Sequence, residues 1–552
     1  MTLSRRRLLL ASLLLTLSAP AQDKELRGVW MTPRTPSGVW TRTELAAAID
    51  GAAKAKFNTV FFNAWSRGWP LWRSKAFERE TGFLIDPVAK DRDLLEEAVA
   101  ECHRHGLEVV AWMEYGFVGW WDGQDLKDHP NGPIFKKHPE WVAKSSAGLD
   151  RYPSGRVGNH LWMAQNNPQV QDFLIRLHEE VVKEHDVDGI ELDRIRFPSL
   201  DCGYDARTAE LWKEENGAPP PKELNDPKWM RFRADALVRF HADAYKAIKT
   251  ANPKVHVCNA PSHYSAGKNY PAYERLLQDW RAWVNQGSVD SVEVQMYVRS
   301  QDLRKYIPSA LDGIAPEAKK KVYVGIAPHT DAHNLTPSET VELIETVRKA
   351  GVPGHAVWYW NDVADERMST ALRTKAYERD AIAPWRDKHA RQPGIVVDVQ
   401  KQKRTSGWKV VTSPHANAGA FLQAPAGKSD QLEYGADVPE TGTYVVYAWF
   451  PAGAAEPQAA GIADFSTRSQ FWTLHDRGDK VGKEVKAELP VQPAQGWYRI
   501  GRVALDKGER QLVATLRNVA APADVHSVAD ALMLVLDPTP HPAIKDASGP
   551  KK

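Results

Sequence analysis

The sequence predicts an α/β protein in which a (β/α)8 TIM barrel is followed by a small all-β sandwich. Three observations carry that expectation. From residue 25 to about 385, short β-branched runs alternate with amphipathic helical runs, the mark of repeated βα units on a parallel sheet. The strand-like runs number eight, the count that closes a barrel of ordinary size. Beyond residue 385 the runs become short and rich in Val, Tyr and Trp, with turns of Gly, Pro, Asp and Ala between them.

The first residues read as a targeting segment. Arg5, Arg6 and Arg7 precede an apolar run over residues 8–17, and Ala19-Pro20-Ala21 supplies small residues at cleavage spacing. Residues 1–21 are therefore expected to be a signal peptide, and the mature chain to be secreted or periplasmic. The apolar run is far shorter than the roughly 20 residues of a membrane anchor, so no transmembrane segment is expected. No Cys follows the cut, and no lipid anchor is implied.

The candidate barrel strands are residues 28–32, 59–64, 108–113, 189–193, 255–259, 291–296, 322–326 and 355–360. Helical patterns fall between them at 43–56, 91–105, 168–185, 229–250, 273–285, 336–349 and 365–377. Thr336-Pro337-Ser338-Glu339 has the form of a capped helix start, and Gly106, Gly351 and Asn252-Pro253 mark helix stops. No glycine-rich phosphate loop follows a strand, which sets aside a doubly wound nucleotide-binding fold. The barrel is expected over 25–385 and the sandwich over 395–537, with strands at 443–450, 497–505, 511–517 and 530–536. Residues 538–552, rich in Pro and Lys, are expected to be a disordered tail.

Composition narrows the partners. Net charge is +2, and no Lys/Arg block interleaved with aromatics is present, which argues against nucleic acid. Cys102, Cys202 and Cys258 match no zinc spacing, and no His cluster does either, so neither a metal nor a cofactor is expected. Cys202 and Cys258 could pair in an oxidising compartment. The 21 tryptophans hint at carbohydrate, because indoles stack on pyranose faces. The number of subunits stays open.

Active sites of such barrels lie where the strands end at their C-terminal side, and long loops there build a cleft. The longest run over 115–166, after the third strand, and 194–228, after the fourth. The first carries Trp120, Trp121, Trp141 and Trp162, of which at least one is expected to touch sugar. In the fourth strand Gly189, Glu191 and Asp193 share one face, the inward one if Ile190 and Leu192 pack on the helices. Asp193 then stands at the strand end with Glu191 one layer below; a salt bridge from Asp193 to Arg194 or Arg196 is the structural alternative. Glu114 ends the neighbouring third strand. Adjacent strands lie about 4.8 Å apart, so the two carboxyls can approach the roughly 5 Å separation of a retaining pair. Glu293, with Gln295 and Tyr297 on the same face of the sixth strand, lies deeper and is the second candidate acid.

Several stretches, taken in order, resemble a known family. Arg27-Gly28-Val29-Trp30, Phe57-Asn58-Thr59-Val60, Trp112-Met113-Glu114-Tyr115-Gly116-Phe117, Asp188-Gly189-Ile190-Glu191-Leu192-Asp193 and Gln295-Met296-Tyr297 are similar to glycosyl-hydrolase-like family ten. The resemblance spans nearly all of 25–385. It implies a (β/α)8 barrel, an envelope or secreted location and hydrolysis of glycosidic bonds, with cell-wall glycan as one substrate class. It carries over to Asp193 as nucleophile or base and to Glu114 as general acid. Many relatives have a second acid directly after the strand-four Asp, where this chain has Arg194. The segment with Tyr444-Val445-Val446-Tyr447, Gly496-Trp497-Tyr498-Arg499 and Ala529-Asp530-Ala531 resembles the golvesin-type sandwich, an accessory module of extracellular enzymes.

The expected function is hydrolysis of an oligosaccharide or polysaccharide by Asp193 and Glu114, with Glu293 as the other acid. Arg196, Asn63, Trp112, Tyr297, Trp360, His329 and Glu191 are the expected substrate contacts. The alternative is a glycan-binding protein on a degenerate barrel. Convergent carboxyls favour the enzyme, and an arginine wedged between them favours the binder.

Overall fold

The eight strand-like runs close into one parallel barrel. Its strands are β1 (Leu26–Met31), β2 (Thr59–Asn63), β3 (Glu108–Met113), β4 (Gly189–Leu192), β5 (His256–Asn259), β6 (Ser291–Gln295), β7 (Val322–Ile326) and β8 (Gly354–Val357). Neighbours follow sequence order, and β8 pairs with β1 to close the ring. The computed structural model describes residues 23–537 apart from 36–37, 91, 124–129, 155–157, 263–270, 387–388, 426–430, 452–468, 480, 489–494 and 518–525. The expected signal peptide and C-terminal tail lie outside the described residues. Among the described residues no helix is long and apolar enough to cross a membrane.

Alternation along the strands sorts side chains into two layers. Val29, Val60, Val109, Ile190, Val257, Val294, Val324 and Val357 point outward and pack on the helices. Each such burial is worth about 1.5–3 kcal/mol. Leu26, Trp30, Phe61, Val110, Trp112, Cys258, Tyr323 and Ala356 fill the interior. Gly28 makes room for that filling, since a Cβ there would sit 2.5 Å from the Phe61 ring.

The surrounding helices include α1 (Arg42–Lys54), α2 (Leu94–Arg104), α3 (Pro168–Glu184), α4 (Pro227–Ala251), α5 (Trp280–Gln286), α6 (Ser300–Leu311), α7 (Pro337–Lys349) and α8 (Glu366–Ala371). Thr336 and Glu339 form the capping box that opens α7, and Thr41 with Glu44 forms another before α1. Two elements depart from expectation. The helix over 273–285 is broken where Leu277 turns to φ 54°, and α6 escapes the sequence pattern because Pro308 stands inside it.

The sandwich is antiparallel throughout. Its main strands are β9 (Gln431–Val438), β10 (Gly442–Phe450), β11 (Gly496–Leu505), β12 (Gly508–Arg517) and β13 (Leu532–Asp537). One sheet runs Ile395–Val397, β13, β10, β11, and the other includes β9 beside β12. Val446, Leu534, Leu432 and Leu516 close the core between them. On the opposite face Val445, Tyr447, Trp497 and Met533 pack around Ala100 of α2, so the sandwich leans on the barrel. Ion pairs from Arg502 to Asp186 and from Arg499 to Glu96 border that contact.

The bottom of the barrel is completed by the chain that leaves it. Arg386 Nε lies 2.5 Å from Glu108 Oε1, and both Arg386 and Arg391 reach Asp188. His103 Nε2 lies 3.0 Å from the same carboxylate. Burial opposes ionisation of Asp188, yet Arg391, His103 and Arg386 hold it well below the usual carboxylate range. A chain cut after Trp385 loses both arginines, whereas one cut after Gly394 keeps them. We expect both pieces to fold as barrels, with the shorter one less stable by roughly 3–5 kcal/mol, since Glu108 and Asp188 lose their arginine partners. Urea unfolding of the two pieces checks this, and equal midpoints refute it.

Candidate active site

Asp193 follows β4 and Glu114 follows β3, and the pairing of Leu192 with Met113 sets the two acids side by side at the barrel mouth. Gly116 permits the close approach of the two loops: it has φ +41°, and a Cβ there would stand 2.2 Å from the Asp193 carbonyl oxygen. Both carboxyls are buried and hydrogen-bonded. Asp193 Oδ2 accepts the Trp112 indole N–H at 3.1 Å, and Oδ1 accepts the Arg194 amide at 2.5 Å. Glu114 Oε2 accepts Asn63 Nδ2 at 2.9 Å, and Oε1 faces Arg194 Nη2 at 3.3 Å. Arg194 takes φ +50° and lays its guanidinium over the Tyr115 ring, 4.4 Å from the centroid.

Burial dominates the electrostatics of the mouth. It pushes Glu114 up to about 7; Arg194 pulls against that shift, and the charge of Asp193 adds to it. Burial raises Asp193 too, and there Arg194, Arg196 and the two N–H donors oppose it. Desolvation and then the neighbouring Arg194 charge bring Arg196 down to about 10. Its Nη1 donates to Ser262 Oγ at 2.6 Å.

One layer down, the barrel axis is acidic. Glu191 accepts Trp30 Nε1 at 2.8 Å, and Glu293 accepts Ser291 Oγ at 2.8 Å. Burial pushes Glu191 well above its ordinary value and Glu293 up to about 8. With Cys258 they form, among the described residues, the one group whose ligand-type atoms all lie within 4.8 Å of one another. Glu191 and Glu293 are both fully enclosed, so neither lines the mouth.

The expected sugar contacts divide. Tyr297 and Arg196 are half-buried at the mouth. Trp112 and Asn63, 2 % and 0 % exposed, hold Asp193 and Glu114 instead of facing solvent. Trp360 is corrected: β8 ends at Val357, so residue 360 opens a helical turn, and its ring fills the place a Cβ on Gly51 of α1 would need. The tryptophan that faces the mouth is Trp358, with Trp112 at 5.5 Å and Tyr297 stacked at 6.1 Å. The parity Gly354, Ala356, Trp358 carried that signal, and the overlong strand hid it. His329 is exposed on a hairpin whose other arm is His333–Asn334. Trp120, Trp141 and Trp162 are packed away in the core, while Trp121 lies under the Arg67 guanidinium at 4.2 Å. Cys202 and Cys258 are both free thiols, the latter on the barrel axis.

Comparison with known proteins fits this geometry. The family model described as glycosyl hydrolase-like 10 matches residues 25–330. Glycosyl hydrolase YngK of Bacillus subtilis strain 168 is 24% identical over 421 residues, covering 69% of this chain and 78% of that protein. Glycosyl hydrolase DigH of Escherichia coli K12 is 24% identical over 303 residues, covering 50% of this chain and 64% of that protein. Among solved structures, the PgaB (BpsB) glycoside hydrolase domain from Bordetella bronchiseptica aligns with a TM-score of 0.48 at 14% identity, over 63% of this chain and 98% of that one. Since the family match runs over more than half of its length and through both acids of the mouth, this chain belongs to the glycosyl hydrolase-like 10 family.

Proposed function

We propose that this chain is an exported glycoside hydrolase that cleaves an oligo- or polysaccharide with Asp193 as nucleophile or base and Glu114 as general acid. The observation that carries the reading is the adjacent pair of buried carboxyls with unequal surroundings. Glu114 is held near neutrality by burial, where it can give up a proton to a departing oxygen. Asp193 has two N–H donors and two nearby guanidinium groups, all favouring its ionised form. Trp358 and Tyr297 supply aromatic faces for a sugar ring beside the acids. Export rests on the basic, apolar and small-residue order of residues 5–21. Product analysis on a glycan panel that includes peptidoglycan strands lacking peptides is the primary test; no product from any glycan defeats the reading.

A second reading is a glycan binder, favoured by the Arg194–Glu114 ion pair. Arg194 contacts only one oxygen of Glu114, and its guanidinium rests on Tyr115, so it flanks the acid. Binding of glycan without turnover, restored to turnover by no variant at position 194, selects this reading.

The two acids should fail differently. Asp193→Asn removes hydrolysis of every substrate while the thermal midpoint stays within a few degrees, because the carboxylate contributes to rate more than to stability. Glu114→Gln slows substrates with poor leaving groups roughly 100- to 10,000-fold and aryl glycosides much less, since an activated leaving group needs little protonation. Equal losses on both substrate types would show that Glu114 is not the general acid.

The pH profile tests the same assignment. Glu114 must be protonated to act, so kcat/KM falls as pH rises through about 7. Arg194→Gln removes a cation that lowers the Glu114 value, and the alkaline limb then moves to higher pH. A limb that ignores both Glu114→Gln and Arg194→Gln belongs to another group.

A further inference from the structure

The seam between barrel and sandwich holds a groove of about 340 Å3. Arg42 and Asp50 of α1 and Glu101 and Arg104 of α2 line its barrel side, and Trp449 of β10 and Trp497 of β11 line the other. None of its lining residues belongs to the mouth. Arg42 ties the two walls together: its Nη2 donates to the Tyr498 hydroxyl at 2.9 Å and lies 3.0 Å from Glu97 Oε1. Gly496 lets the arginine cross, since a Cβ there would stand 2.3 Å from Arg42 Nη1.

The polar groups of the groove are only partly used. Arg104 donates through Nε to Glu101 Oε2 at 2.7 Å; among the described residues its two terminal nitrogens make no hydrogen bond, and Glu101 Oε1 accepts none. Arg42 Nε and Trp497 Nε1 are buried without an acceptor. The Trp449 ring is held in place, because its N–H donates to the His415 carbonyl at 3.1 Å and it meets Trp497 at 5.2 Å and 70°. It stays half-buried all the same.

Charge and shape decide what such a groove takes. Arg104 faces Glu101, Arg42 faces Glu97 and Asp50 faces Lys54, so no surplus charge is left for an ionic ligand. Uncommitted donors beside an uncommitted acceptor match hydroxyl groups, which both donate and accept. A fixed indole matches the C–H face of a sugar ring. The volume is at the small end of the roughly 300–1,000 Å3 of ligand pockets, which limits the ligand to a short stretch of chain.

We propose that this seam is a second saccharide site, built jointly by α1, α2 and the β10–β11 pair, that holds a short run of uncharged pyranose rings. Trp449 is the platform, and Glu101 and Arg104 bind hydroxyls beside it. The site does not depend on hydrolysis at the mouth, because its occupancy is read directly as binding.

Titration calorimetry of the full Asp193→Asn chain, in which turnover is expected to stop, tests this. Cellohexaose and chitohexaose are the neutral probes, and a galacturonate hexamer and a chitosan hexamer are the anionic and cationic ones. At least one neutral probe is expected to bind at both mouth and seam, and the seam event is lost in Trp449→Ala and in Ala47→Leu. Ala47 is exposed on α1 and lines the groove, so Ala47→Leu narrows the site without removing a polar group. An unchanged thermal midpoint in that variant separates loss of the site from loss of the fold. Neutral binding at the seam alone, abolished by Ala47→Leu, supports the site while counting against the mouth as a glycan cleft. Neutral binding that ignores Ala47→Leu, no neutral binding at all, or a seam event seen only with the charged probes overturns the proposal.

Discussion

Alternation along β4 is the constraint on which the rest of the site depends. Ile190 and Leu192 must face the helices, because the outward layer is a continuous apolar seam. Gly189, Glu191 and Asp193 are then forced inward, and two acids enter a space lined mostly by apolar and aromatic side chains such as Leu26, Trp30, Phe61, Val110, Trp112 and Tyr323. Each unusual feature nearby answers that intrusion. Trp112 and Trp30 turn their indole N–H groups to Asp193 and Glu191, the glycine at 116 lets the neighbouring loop close over the strand end, and Asn63 steadies the second acid. A shift of one residue in β4 would exchange the layers and place both acids against the helices.

The same segment is anchored at its other end by charge. Asp186 and Asp188 precede the strand, and Arg502, Arg386 and Arg391 come to them from beyond the barrel. The top of β4 is thus carboxylate-rich with Arg194 and Arg196 beside it, and the bottom is carboxylate neutralised by later sequence. The sandwich therefore contributes to the barrel through ion pairs and the apolar contact around Ala100 as well as by covalent linkage. Breaking one partner of such an enclosed pair costs more than the pair itself adds, because a buried charge is left uncompensated.

The fold was legible because period and count are properties of local sequence. Eight short apolar runs with helices between them have few closed arrangements, and the observed strands lie within two residues of those expected at their starts. Asp193 and the inward turn of Glu191 followed from alternation, and Glu114 from its place at the end of the neighbouring strand. What remained hidden depends on where strands stop and on which side chains meet across the barrel. Trp358 displaced Trp360 because β8 ends at Val357, and Trp112 and Asn63 are identified as carboxylate donors only by contacts between different strands. The charge compensation at the barrel floor joins residues about 200 to 280 positions apart, a distance over which periodicity carries no information.

Arg194 is the residue on which the chemistry of the mouth turns. A guanidinium in contact with a carboxylate ordinarily lowers its pKa by one to three units, which would leave Glu114 ionised and unable to act as the proposed general acid. Here desolvation is the larger effect, and Glu114 remains near 7 despite the contact. The geometry explains why the cation is weak: a single nitrogen at 3.3 Å touches one oxygen, and the guanidinium plane is spent on the Tyr115 ring. A bidentate pair would have reversed the balance. The backbone at Arg194 is left-handed, with φ +50°, and its own amide donates to Asp193. One residue thereby favours the ionised form of one acid and leaves the other close to neutral, the division of labour that the proposed glycoside cleavage would require.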